Sequence, residues 1–437
     1  MMLREYQTRA IADLRATYAR GRRAPCLVIP TGGGKTVIAA EIIRSAIARN
    51  RRVLFLAHRT ELLEQSVLKL DAAGVSDVRM LQAARDLGRA DAPVTVASVP
   101  TLARRSTDIP ADLVVFDEAH HVVAKTWKKI ADRYSHSAIL GLTATPQRSD
   151  GSPLGDVFDS LVVGSTVKEL TELGHLAPCR VWAPPNALES GELAVAPIDA
   201  YLEHGEGQRA VVFCATVEHA EEIAASMVAR GVATEVVHGG LAAVSRSSTL
   251  KRFRAGEVRA VCNVHVLTEG WDDPGAAVCI LARKPQHAGT YLQMVGRVLR
   301  PADGKPQAKL LDLGGVSLIH GTPDMDRTYT LDGKAISGAE REAIRQCATC
   351  GAVFRAEEVT DGHSGTCAPD CKAKHCPQCQ TALPHRAVEA PRSIGVGLSE
   401  VKDRTDQLRL NLLAAARRGR HSAAWVERAY AANGARR

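Results

Sequence analysis

The run Pro30-Thr31-Gly32-Gly33-Gly34-Lys35-Thr36 sets three adjacent glycines before a lysine and a threonine. Glycines let backbone N–H groups converge on phosphate oxygens with no Cβ in the way. A helix that starts at this point adds the partial positive charge of its N-terminus. In that setting Lys35 reaches the β- and γ-phosphates of a nucleotide, and the Thr36 hydroxyl can ligand Mg²⁺. The run departs from the general G-x-x-x-x-G-K-[ST] pattern at one place, where Ile29 holds the first glycine position. The acids Asp117 and Glu118 lie 81 residues beyond Thr36, directly after the apolar Leu113–Phe116. Asp117 suits a Mg²⁺ partner through water, and Glu118 suits the group that polarises an attacking water.

A second constellation is made of sulfur. Cys347, Cys350, Cys367, Cys371, Cys376 and Cys379 fall within 33 residues, a density that points to metal rather than disulfides. Cys347, Cys350, Cys376 and Cys379 form two C-x-x-C pairs that suit tetrahedral Zn²⁺. Cys367 and Cys371 are alternates for one pair, with His363, His375 and His385 nearby. The other five cysteines, Cys26, Cys179, Cys214, Cys262 and Cys279, sit mostly in apolar runs and read as buried thiols of a cytosolic protein.

These residues need a frame that delivers them to one place. Leu27–Ile29, Val53–Ala57, Val94–Ala97, Leu113–Phe116 and Ile139–Leu142 are short apolar, β-branched runs, which predicts buried parallel strands. Helical periodicity fills the gaps, as in Val37–Arg49 and Thr60–Ala72. A looser stretch, Ala183–Ala196, precedes a second such series at Ala210–Cys214, Thr234–Val237, Ala260–Asn263, Ala277–Leu281 and Lys309–Leu313. Two successive parallel α/β units follow from this alternation. The acids of Asp117–Glu118 then stand at the carboxyl end of a strand, where such sheets place their ligands. Beyond them come a turn-rich stretch 314–338, the cysteine cluster, and amphipathic helical patterns near Leu398–Arg417 and Ser422–Ala432. The expected organisation is one unit over 1–182, a second over 183–338, a zinc-binding module over 339–385 and a basic helical tail over 386–437.

Composition bounds the function classes. The chain has 437 residues, 45% of them apolar and 24% charged, which is ordinary for a soluble globular protein and excludes disorder as the dominant state. The longest apolar run, Ala276–Ala282, is far short of a membrane span, and the first residues carry no apolar signal core, so a cytoplasmic setting is expected. The formal charge is +8, of which residues 380–437 contribute +6. A basic tail of this kind is an electrostatic footprint for nucleic acid. Arg417, Arg418 and Arg420, near Trp425 and Tyr430, could bind a strand by charge and stacking; a docked helix burying Trp425, Ala429 and their apolar neighbours is the alternative, and the favoured one.

Taken in order, the motifs over about residues 3–301 resemble a superfamily 2 helicase of the DEAD/DEAH type. Leu3-Arg4-Glu5-Tyr6-Gln7 is similar to the adenine-reading Q motif, and Pro30–Thr36 to motif I. Ala57-His58-Arg59-Thr60-Glu61-Leu62 resembles motif Ia, Val94–Val99 motif Ib, Asp117–His120 motif II and Thr143-Ala144-Thr145-Pro146 motif III. In the second unit Val211–Cys214, Leu267–Asp272 and Gln293–Arg300 resemble motifs IV, V and VI. The resemblance implies two RecA-like lobes with ATP and Mg²⁺ between them. It implies an adenine and phosphate site of Arg4, Gln7, Thr31, Gly32, Gly33, Gly34, Lys35, Thr36, Gly270 and Asp272, with Gln293, Arg297 and Arg300 completing the catalytic set. Arg297 and Arg300 are three apart on a helix, so they share a face, and fixed positive charge there can meet the charge that develops on the γ-phosphate.

The same resemblance implies a nucleic-acid strand gripped by His58, Arg59, Ser98 and Thr145 from the first lobe and by Thr216, His238 and Thr268 from the second. Contacts of that kind hold the phosphate backbone and read no sequence. A two-lobed motor followed by a cysteine module is also similar to the bacterial RadD group and related phage helicases, which implies DNA repair, recombination or defence as the setting. DNA, single-stranded or branched, is the expected partner. RNA, a nucleotide-gated binding switch, or a motor subunit of a restriction-type complex are the alternatives, with a protein partner taken up through the cysteine module or the tail.

Overall fold

The computed structural model describes residues 3–332 apart from 58–59, 83–84, 106–107, 122–123, 148–152, 186, 190 and 269, together with 344–346, 353–355, 392–393 and 398–401. The six clustered cysteines and nearly all of the tail lie outside the described residues.

Among the described residues the first sheet has eight strands, in the order Arg85–Leu87, Val78–Gln82, Val94–Ser98, Val53–Ala57, Leu113–Phe116, Ala138–Thr143, Pro25–Val28 and Ser160–Val163. All neighbours run parallel except the hairpin of the first two. Val53–Ala57, Val94–Ser98 and Leu113–Phe116 are buried along their whole length, as strands covered on both faces must be. One core fills each face, around Ile38, Phe55 and Leu140 on one side and Phe116, Trp127 and Phe158 on the other. Gly141 is required by this packing, because a Cβ there would lie 2.5 Å from the Phe158 ring.

The second sheet runs Thr234–His238, Ala260–Val264, Ala210–Phe213, Val278–Leu281, Ala308–Asp312, Cys179–Ala183 and Ser399–Val401. It is parallel except for Ser399–Val401, which pairs antiparallel with Cys179–Ala183. The ten strands expected from β-branched runs all form, with ends shifted by a residue or two. Val78–Gln82, Arg85–Leu87, Ser160–Val163 and Cys179–Ala183 were not foreseen: each is short, three of the four carry an arginine, and the other, Ser160–Val163, lies at the sheet's edge. The helical pattern from Leu398 is corrected over Ser399–Val401, where the chain is extended and covers the open edge of Cys179–Ala183. Pairing an exposed backbone edge outweighs a weak helical preference there.

Candidate nucleotide cleft between the lobes

The strand Pro25–Val28 leads through Pro30–Gly34 into the helix Lys35–Ile47, whose buried face is Ile38, Ala39, Ala40 and Ile43. Gly32 and Gly34 adopt φ of 88° and 81°, a backbone that side-chain-bearing residues resist. The loop is braced from below. The Tyr6 hydroxyl donates to the Gly33 carbonyl at 2.8 Å, and Gln7 Nε2 donates to the Tyr6 oxygen at 3.3 Å. The Gln7 side-chain carbonyl accepts from the Arg4 N–H at 3.0 Å. A Cβ on Gly34 would stand 2.5 Å from Gln7 Nε2, so the glutamine packs directly against the phosphate loop.

Leu113–Phe116 delivers Asp117 and Glu118 to the same place. Glu118 has φ of 48°, a strained backbone for a non-glycine residue and a common mark of a functional turn. Its carboxylate lies 3.9 Å from Lys35 Nζ. Burial, reinforced by the neighbouring Glu118 charge, pushes the Asp117 carboxyl up to about 6, against the pull of Lys35 and Lys69. The paired acids and the Thr36 hydroxyl offer hard oxygen donors beside a phosphate cradle, a donor set that fits Mg²⁺.

The second lobe closes this cleft. A cavity of about 370 Å³ is lined by Thr31, Gly32, Gly34, Lys35, Thr36, Asp117 and Glu118 from the first lobe, and by Gly270, Asp272, Arg297 and Arg300 from the second. Arg300 pairs with Asp272 and lies so close to the loop that a Cβ on Gly32 would be 3.3 Å from its Cγ. Arg297 is 4% exposed, and its guanidinium donates to the Thr268 and Trp271 carbonyls at 3.0 and 2.7 Å. It therefore carries the backbone of the motif V turn as well as lining the cleft.

Two contacts lock the lobes in register. Gly296 abuts Thr31 so tightly that a Cβ would lie 2.6 Å from the threonine Cβ. Gln293 does not line the cavity; its Nε2 donates to His120 Nε2 at 2.6 Å, both residues being buried. His120 Nδ1 meets the Thr143 hydroxyl at 2.9 Å, and that oxygen accepts from the Thr145 N–H at 3.1 Å. A continuous polar chain thus joins motif II, motif III and motif VI.

The described residues among those expected to grip a nucleic-acid strand do not line this cleft. Ser98, Thr145, Thr216, His238 and Thr268 stand at or just past the carboxyl ends of their strands; His58 and Arg59 lie outside the described residues. The Ser98 and Thr216 hydroxyls cap helices, accepting from Thr101 N at 3.3 Å and His219 N at 3.1 Å. His238 accepts from the Gly240 N–H at 3.2 Å. The Thr145 and Thr268 hydroxyls are buried and have no hydrogen-bond partner among the described residues. Three contributors were missed from sequence: Tyr6 under the loop, His120 at the seam, and Lys69, which faces the cleft from the helix Thr60–Ala72. Burial in the cleft lowers the Lys69 pKa, while Asp117 and Asp272 oppose that shift. Among the described residues no further cluster of metal-ligating side chains occurs, and no helix is long and apolar enough to cross a membrane.

A phosphate loop and acid pair on one RecA-like lobe, closed by arginines from another, define an ATP-driven two-lobed motor. Residues 1–148 match the family described as type III restriction enzyme, res subunit, and residues 194–302 match the helicase conserved C-terminal domain. A 51.5 kDa protein of a Lactococcus phage is 28% identical over 350 residues, covering 74% of each chain. The helicase-type protein IRC3 of Saccharomyces cerevisiae is 25% identical over 73% of this chain, which spans only 52% of that protein. Among solved structures, a fragment of an HsdR-type subunit of a type I restriction enzyme from Vibrio vulnificus superposes with a TM-score of 0.58 at 21% identity, covering 76% of this chain and 70% of that one. The type ISP restriction-modification enzyme LlaBIII bound to DNA gives 0.55 at 17% identity, over 71% of this chain and 27% of that one. The chain carries a superfamily 2 helicase domain and is related to a phage protein and to restriction-enzyme subunits. It is an ATP-dependent enzyme of that superfamily.

Proposed function

We propose that the protein is a DNA-stimulated ATPase that moves along a DNA strand. The observation that carries this reading is the composite cleft, in which Arg297 and Arg300 meet the phosphate loop only because the second lobe is seated on the first. Lys35 and the glycine amides hold the β- and γ-phosphates, and Thr36 and Asp117 hold Mg²⁺, which supplies charge neutralisation at those oxygens when bound. Glu118 orients the attacking water, and Arg300 with Arg297 meets the charge that spreads over the transferred group. Arg4 and Gln7 are assigned to the adenine, and Gly270 and Asp272 to the second-lobe wall of the cleft. Because hydrolysis needs both lobes, each turnover couples to their opening and closing, and that motion drives stepping along the strand.

DNA is favoured as the track because the named relatives include restriction enzymes, one of them solved with DNA. Ser98, Thr145, Thr216, His238 and Thr268, with His58 and Arg59, are the proposed backbone contacts. The setting we favour is DNA repair, recombination or phage and defence DNA processing, of the RadD-like kind. We further propose one Zn²⁺ held by Cys347, Cys350, Cys376 and Cys379, with Cys367 and Cys371 as alternates, and a partner taken up there or on the basic tail. Steady-state hydrolysis with no nucleic acid, single-stranded DNA, duplex DNA or RNA tests the track. Stimulation by DNA is expected; stimulation by RNA alone would overturn the DNA assignment, and stimulation by none would overturn the motor.

A further inference from the structure

The polypeptide does not cross between the lobes only once. It passes from the first to the second around the helix Val167–Glu172, whose Leu170 packs in a second-lobe core. After the helix Ser317–His320 on the second lobe it leaves again, through Gly321 at φ of 79°. Arg327 fixes the shape of the turn beyond that glycine: its guanidinium donates to the His320, Thr322, Pro323 and Met325 carbonyls at 3.0, 2.8, 3.2 and 2.8 Å. Met325, Arg327 and Tyr329 then face the seam, around a cavity of about 40 Å³ shared with Thr31 and Thr145 of one lobe and Gly296 of the other. The segment ends on the first lobe. The Leu331 carbonyl accepts from the Gly155 N–H at 3.0 Å, and the Leu331 side chain packs on the core that holds Leu154 and Phe158. Farther along, Arg392–Ser393 pairs with Glu192–Leu193 and Ser399–Val401 with Cys179–Ala183, back on the second lobe.

We propose that residues 322–331 form a strap, rigid at its Arg327 end and pinned through Leu331, that holds the second lobe against the first without nucleotide or nucleic acid. The physical reason is effective concentration. One crossing leaves the lobes free to swing, whereas a second short tether across the same seam confines them near the closed geometry. Leu331 is the sensible release point, because it joins the first lobe by one backbone hydrogen bond and one partly buried side chain. The strap acts on lobe position and does not touch the reacting atoms.

The test is the distance between dyes placed at exposed Ala103 of the first lobe and Glu221 of the second, read by single-molecule energy transfer on the full chain. Two variants are compared with the unaltered protein. Leu331→Asp removes the pin; a four-residue Gly-Ser insertion after Thr330 keeps the pin but slackens the tether. Both should broaden and lengthen the nucleotide-free distance distribution; basal hydrolysis should fall roughly tenfold in Leu331→Asp, as the loss of one partly buried leucine anchor allows, and less in the insertion variant, which keeps that anchor. DNA should restore most of the rate, since the catalytic residues are intact. Unchanged distance distributions in both variants, with thermal unfolding showing an intact fold, would overturn the strap.

Discussion

Replacing Gln293 by leucine isolates the seam from the chemistry. The change keeps side-chain volume close to constant and removes the donor that meets His120 Nε2 at 2.6 Å. His120 is 7% exposed, so in the closed state its ring nitrogen loses the Gln293 amide out of reach of bulk water. An unsatisfied buried acceptor costs about 1–3 kcal/mol. In the open state water satisfies the same atom, so the cost falls on closure alone. A penalty of that size lowers the closed-to-open ratio about 5- to 150-fold, at 1.4 kcal/mol per factor of ten. Nucleic-acid-stimulated kcat should therefore drop by one to two orders of magnitude, while the Kd for nucleotide changes little, because Lys35, Thr36 and the glycine loop belong to the other lobe. The assay pairs steady-state hydrolysis at saturating DNA with equilibrium binding of a fluorescent ATP analogue. A kcat within twofold of the unaltered enzyme would refute the reasoning, as would a loss appearing wholly in Kd.

Three other outcomes follow from the cleft. Gly34→Ala places a methyl 2.5 Å from Gln7 Nε2 on a backbone with φ of 81°, so nucleotide binding should weaken at least tenfold, measured by calorimetric titration. Gly296→Ala drives a methyl into Thr31; overpacking of about 1–3 kcal/mol should cut stimulated turnover while leaving nucleotide affinity in place, and equal loss of both would count against a seam contact. Asp117→Asn should abolish hydrolysis yet raise the melting temperature of the nucleotide-free protein at pH 8. The unfolded carboxyl titrates near 3.8 and the folded one near 6, so the folded state holds the extra proton between those values. Stability then falls as pH rises through that window and stays lower above it, by about 1–3 kcal/mol. An unchanged melting temperature in calorimetry would show that the buried charge carries no such cost.

How much of this was legible beforehand divides by the range of the interaction. The phosphate loop and the acid pair are local: apolar strand, turn and helix stand side by side in sequence, and β-branched runs such as Val53–Ala57 need no distant partner to be recognised. Lys69 was invisible because it reaches the cleft from a helix face whose orientation only packing decides. His120 and Gln293 are 173 residues apart, and nothing in either motif alone announces that they bond. Ser98 and Thr216 illustrate the converse, since residues suited to phosphate contacts are also good helix caps, and here each hydroxyl oxygen accepts a helix N–H. The motif VI arginines were expected to share a helix face, but the helix ends at Val295, and beyond it Arg297 braces a turn while Arg300 faces the loop.

The strand Ser399–Val401 has a bearing on colloidal behaviour. It covers the outer side of Cys179–Ala183, which without it would present a row of unsatisfied amides and carbonyls. A chain shortened before Ser399 would expose that row next to Trp182 and Val181, a template on which a second molecule could add its own strand. Trimming for crystallisation or expression would then favour edge-to-edge association, although every motif of the motor would still be present.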